Sequence, residues 1–117
     1  MNTLHVELER FRVIPGKEEK AREWMEFLQT HLEEVKKTLP DEKMYVESIF
    51  EETIEGVLYL YWASYQGIRA EEVVFSDGFI DTKHLEYWNE CIDRDYPESI
   101  LKTNVVMIQD TILEKMK

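Results

Sequence analysis

The chain has 117 residues and a formal charge of −11 at pH 7, from 25 Asp and Glu against 14 Lys and Arg. That balance opposes nucleic-acid phosphates and anionic lipid surfaces as partners. Hydrophobic residues make up 44% and aromatics 12%, with 4 Gly, 3 Pro and no repeat or low-complexity run, so the composition excludes a disordered chain and suits one domain, 1–117, with a single core.

The opening "MNTLHVELER" alternates polar and apolar residues and lacks the basic end and continuous apolar core of a signal peptide. Leu4, Val6 and Leu8 fall on alternate positions, then the phase slips and resumes at Phe11 and Val13, which predicts a strand with a bulge near Glu9 and Arg10. Pro15-Gly16 ends it. Ala21, Trp24, Met25, Leu28, Leu32, Val35 and Leu39 then recur at helical spacing, predicting one long amphipathic helix that Pro40 stops.

"KMYVESIFEE" and "VLYLYWASY" read as a hairpin. In its second strand Leu58, Leu60 and Trp62 share one face while Val57, Tyr59, Tyr61 and Tyr65 share the other, and neither face suits water. Gln66 to Ile80 loses the pattern and is expected to form a long loop, with a helical turn around 69–74, lying across one end of the sheet. Asp81 is the expected N-cap of a second helix running to about Arg94, with His84, Leu85, Trp88, Cys91 and Ile92 on its apolar side. A last strand is predicted in "TNVVMIQDTIL". The order is β-α-β-β-α-β, an α+β, ferredoxin-like arrangement with a four-stranded antiparallel sheet and both helices on one face. The uncovered face is too apolar for a monomer, so a homodimer is expected.

"FRVIPGKEEKAREWMEFL", "GVLYLYWASYQG" and "IDTKHLEYWNECID" together resemble a small bacterial family of uncharacterised proteins, over nearly the whole chain from His5 to Ile112. The strand order resembles the dimeric α/β-barrel superfamily. That resemblance implies a dimer with a pocket between helices and sheet in each subunit, and the superfamily includes cofactor-free monooxygenases, isomerases and heme-degrading enzymes. Heme-degrading members use an asparagine on the first strand, a tryptophan on the third and a histidine on the second helix. Trp62 and His84 sit in comparable elements here, but Glu9 stands where the asparagine would be.

The candidate catalytic residue is His84, which in the first turn of a helix is expected to be neutral, able to donate at one ring nitrogen and accept at the other. The ordinary alternative is a boundary histidine satisfied by a carbonyl or a carboxylate. Trp62, Tyr59, Tyr61, Glu47 and Trp88 are the candidate ligand-binding residues, although aromatic blocks of this kind also build cores and interfaces. Glu47 would need a partner if buried, and Arg10 or Arg12 is available. His5, His31 and His84 lie on three elements without metal-ligand spacing, so no metal or other cofactor is expected. Cys91 reads as an inert apolar side chain.

The sequence thus predicts a cytoplasmic homodimer that binds a small, largely apolar or aromatic compound, as a cofactor-free monooxygenase or isomerase if it turns that compound over. The competing class is a non-catalytic structural or interaction dimer with no ligand. Replacing His84 is expected to leave stability within about 1 kcal/mol, because a site residue adds little to the core.

Overall fold

The alternating segment at the start of the chain becomes β1 (Leu4–Arg12), the first of four strands in the computed structural model, which describes residues 4–40, 43–67 and 78–116. Gly16 follows with φ 99°, and α1 (Glu18–Thr30) begins with Glu18 and Glu19 at the positive end of its dipole. The long helix expected from the sequence is broken. His31 leaves helical geometry at φ −105° and donates from ring Nδ1 to the Phe27 carbonyl at 3.0 Å, and a short α2 (Leu32–Lys36) resumes after it.

β2 (Met44–Ile54) and β3 (Val57–Gly67) form the expected hairpin, followed by α3 (Phe79–Cys91), β4 (Ser99–Ile100) and a terminal α4 (Asp110–Leu113). The architecture is α+β, with one antiparallel sheet in the order β2-β3-β1-β4. Phe11, Val13, Leu58 and Leu60 from the sheet meet Ala21 and Trp24 from α1 and Tyr87 and Cys91 from α3 in a single buried core.

Two expectations are corrected by the pairing. β1 has no bulge: it runs in one register against β3, from Leu4 opposite Gly67 to Arg12 opposite Tyr59. The slip of phase is a change of face, since Phe11 and Val13 turn to the helices while Leu4, Val6 and Leu8 turn the other way, beside Tyr65 and Ala63. The irregularity lies in β2 instead, between Met44 and Val46.

The strand predicted in residues 103–113 does not form, and the fourth strand lies ahead of that stretch. Only Ser99 and Ile100 pair, with Arg10 and Glu9, and after the Leu101 N–H reaches the Leu8 carbonyl the chain leaves the sheet with Val105 67% and Met107 86% exposed. In α3 the buried residues are Tyr87 and Cys91, Leu85 is 51% exposed, and Gly78, not Asp81, is the N-cap. The expected loop from Gln66 to Ile80 is flanked by the end of β3 and the start of α3, and its residues 68–77 lie outside the described residues.

The hairpin turn carries a local conflict. Glu55 and Gly56 both have positive φ, 50° and 82°, the left-handed pair that a two-residue turn requires to match strand twist. Glycine adopts this conformation freely, whereas a glutamate does so at a cost of about 1 kcal/mol. Glu55→Asn should therefore raise stability by about 0.5–1 kcal/mol, read as a higher urea midpoint at unchanged slope.

Candidate functional site

Three tryptophans distant in sequence converge on the helix side of the sheet. Ring centroids are 5.4 Å apart for Trp24 and Trp62, 5.3 Å for Trp62 and Trp88, and 5.8 Å for Trp24 and Trp88, with Phe11 4.7 Å from Trp88. The contacts are tilted or edge-on, the arrangement that ring quadrupoles favour. Trp24 is fully buried, so its indole N–H needs an acceptor within the protein. His84 Nδ1 is that acceptor, at 3.0 Å.

This hydrogen bond decides the state of the imidazole. An indole N–H can only donate, so Nδ1 must present a lone pair and the proton of the neutral ring sits on Nε2. Burial holds the His84 pKa below its ordinary value, partly offset by the charge of Asp81. His84 is thus an N–H donor at Nε2, and its accepting nitrogen is already engaged. A role as general base at Nδ1 would sacrifice the bond to Trp24.

His84 borders a cavity of about 430 Å³ between the sheet and the helices, a volume suited to a small ligand. Ile49, Leu60 and Trp62 are its sheet side, Leu28 and Leu32 come from the helices, and Glu47, Glu51 and Asp81 supply carboxylates. Of the residues singled out from sequence, His84, Trp62 and Glu47 meet here. Trp88 packs against Trp62 and Phe11 on the side away from the cavity lining.

Tyr59 and Tyr61 fall between buried Leu58 and Leu60 and cavity-lining Trp62, and so point to the opposite face of the sheet. There Tyr59 lies 5.6 Å from the Arg10 guanidinium and 6.1 Å from the Tyr96 ring, and Tyr61 donates its hydroxyl to Glu52. Glu47 does not meet Arg10 or Arg12. It stands opposite Ser64, whereas the two arginines stand opposite Tyr61 and Tyr59 on the other face, with Arg12 bound to Asp93 at 2.6 Å.

Two features escaped the sequence reading. One is Trp24, which reads as an ordinary member of an apolar stripe. The other is a file of titratable groups on β1: His5 Nε2 lies 2.7 Å from Glu7, and Glu7 is hydrogen-bonded to Glu9. Burial, then the bond and charge of Glu7, then the charge of Glu98, push Glu9 up to about 8, while the bond from Glu9 leads in lowering Glu7. The pair shares a proton near neutrality. Their i, i+2, i+4 spacing on one strand face was the available signal. Among the described residues, no group of three or more His, Cys, Asp or Glu is placed to hold a metal ion. No described helix is long and apolar enough to cross a membrane.

The model of one protein family, a family of unknown function designated DUF6176, matches residues 4–114. The chain belongs to DUF6176. The match spans nearly the whole domain, including both walls of the cavity and the file of groups on β1. No curated protein and no solved structure matches the chain.

Two outcomes follow from this geometry. His84→Ala should cost about 1–3 kcal/mol, not less than 1, because it strands the buried Trp24 N–H, and nitrogen NMR of the unaltered protein should show the Nε2–H tautomer. For Glu9, the folded chain keeps its proton up to about 8 while an unfolded glutamate ionises near about 4.3, so the folded state binds the extra proton between these values. Stability should then fall as pH rises from about 5 to about 8, and Glu9→Gln should flatten that fall in urea titrations. The lowered Glu7 acts in the other direction, below that window. Equal slopes for both proteins would show that no proton is shared.

Proposed function

We propose that this protein binds a small, largely apolar molecule between its helices and sheet, as a cytoplasmic homodimer of the ferredoxin-like, dimeric α/β-barrel type. The observation that carries the reading is the Trp24–His84 hydrogen bond, which leaves a neutral imidazole with its proton on Nε2 bordering an open cavity. Read from the other edge, the strand order is β4-β1-β3-β2, and α1 and α3 share one face, which supports the ferredoxin-like reading. Cofactor-free oxygenation or isomerisation with His84 as base is the less favoured use of this site, because the accepting nitrogen is engaged. Orientation of a ligand oxygen by Nε2–H suits it better. A structural dimer without a ligand would be favoured by a filled interior.

The opposite face of the sheet supports the dimer. It presents Phe50, 59% exposed, with Val46 and Ile54, beside the Tyr59, Tyr61 and Tyr65 rings, a strip too apolar to leave in water. The C-terminal segment adds Val105 and Met107. Sedimentation at micromolar concentration should give twice the 14.1 kDa chain mass, and Phe50→Asp should shift it toward the monomer. For the cavity, uncharged aromatic alcohols and ketones at millimolar concentration should change tryptophan emission, and His84→Phe should weaken the ketones more than hydrocarbons of the same shape. A panel without effect would remove the ligand reading, and a stable monomer would remove the dimer.

A further inference from the structure

We infer that residues 102–109 are an exchange arm, which adds as a strand to the open edge of β1 in a second copy of this chain; this rests on the homodimer proposed above and names the contact that joins its two copies. The ladder fixes which backbone groups of β1 lie at that edge. Val13, one residue past the strand, donates its N–H to the Leu58 carbonyl at 2.9 Å, so the odd-numbered residues of β1 direct their backbone groups to β3. The even-numbered residues direct theirs to the opposite edge. There the Arg12 carbonyl accepts the Asp93 N–H at 2.9 Å, Arg10 pairs with Ser99, and the Leu8 carbonyl accepts the Leu101 N–H at 2.8 Å. Val6 is next along this edge, and its N–H and carbonyl meet no partner there among the described residues.

The segment that could fill this edge leaves the sheet just short of it. From residue 102 to residue 108 no backbone group has a hydrogen-bond partner among the described residues, and the next carbonyl, of Gln109, accepts from Ile112 and Leu113 in α4. The stretch carries the β-branched residues Thr103, Val105, Val106 and Ile108 and neither glycine nor proline, a composition suited to a strand. Val105 and Met107 alternate with Val106 and Ile108, the pattern of a strand covered on both sides, yet Val105, Val106 and Met107 are all exposed. One chain thus holds an edge without a strand and a strand without an edge, although the arm starts beside that edge. A second copy supplies each with the other, and two-fold symmetry closes the exchange so that no edge is left to propagate. Main-chain hydrogen bonds hold a strand added in this way. Val6 and Leu8 turn to the reverse face with Tyr65 and Ala63, so the added strand widens the apolar strip on that face.

Two measurements on the full chain test the exchange. Val105→Asp with Met107→Asp alters side chains that are exposed within one copy, so the domain should fold as before while sedimentation shows dimerisation weakened at least about a hundredfold. Hydrogen exchange of the Val6 amide reads the edge itself: it should be protected in the dimer and lose that protection in the double variant and on dilution of the parent below its dissociation constant. The Val13 amide, bonded within the chain to Leu58, should stay protected throughout and serves as the control. A double variant that dimerises as tightly as the parent would overturn the exchange and leave a dimer joined through the face of Phe50. Val6 protection that does not change with concentration would overturn it too, the arm then closing on its own β1. A parent chain that stays monomeric up to millimolar concentration would overturn the dimer reading together with it.

Discussion

A buried indole N–H that must have an acceptor is the constraint around which this protein is arranged. Trp24 has no contact with water, and the nitrogen that satisfies it belongs to a residue 60 positions later in the chain. That bond ties α1 to α3 directly over Trp62 and so fixes how the two helices lie on the sheet. It also fixes the imidazole, because a protonated Nδ1 would face another donor. One hydrogen bond thereby sets the packing of the helices, the tautomer of His84 and one wall of the cavity.

The sheet serves two environments, and its strands divide their apolar residues accordingly. Leu58, Leu60, Phe11 and Val13 meet the helices, while Leu4, Val6, Leu8, Phe50 and the tyrosines of β3 occupy the reverse. Arg10 and Arg12 lie with the tyrosines, where the Arg12 guanidinium sits 4.3 Å from the Tyr96 ring and its bond to Asp93 holds that carboxyl below its usual range. The reverse face is therefore a patterned surface of rings and paired charges, unlike the aliphatic and indole packing beneath the helices.

Much of the fold was legible because it depends on local periodicity. The alternation of Leu58, Leu60 and Trp62 located β3 and its inward face, and the 3.6-residue stripe located α1. Where the reading failed, the deciding partner was distant. The phase slip in β1 looks like a bulge until β3 is seen to pair without interruption, and "TNVVMIQDTIL" has strand composition but pairs with no strand, its end forming α4 instead. His84 stood out as polar on an apolar side, yet nothing near it in sequence points to Trp24. Tyr59 and Tyr61 were grouped with Trp62 by proximity in the chain, although alternation alone places them on the other face.

Cys91 is fully buried where the end of α3 joins the strand region, its carbonyl accepting the Ile14 N–H at 2.8 Å. Burial leads in raising its thiol pKa, and the charge of Glu90 pushes the same way. A thiol in that state is silent to alkylating reagents as long as the helix stays seated. Alkylation of Cys91 therefore requires α3 to lift from the core, and its rate would count the openings of the helix that holds His84 in place.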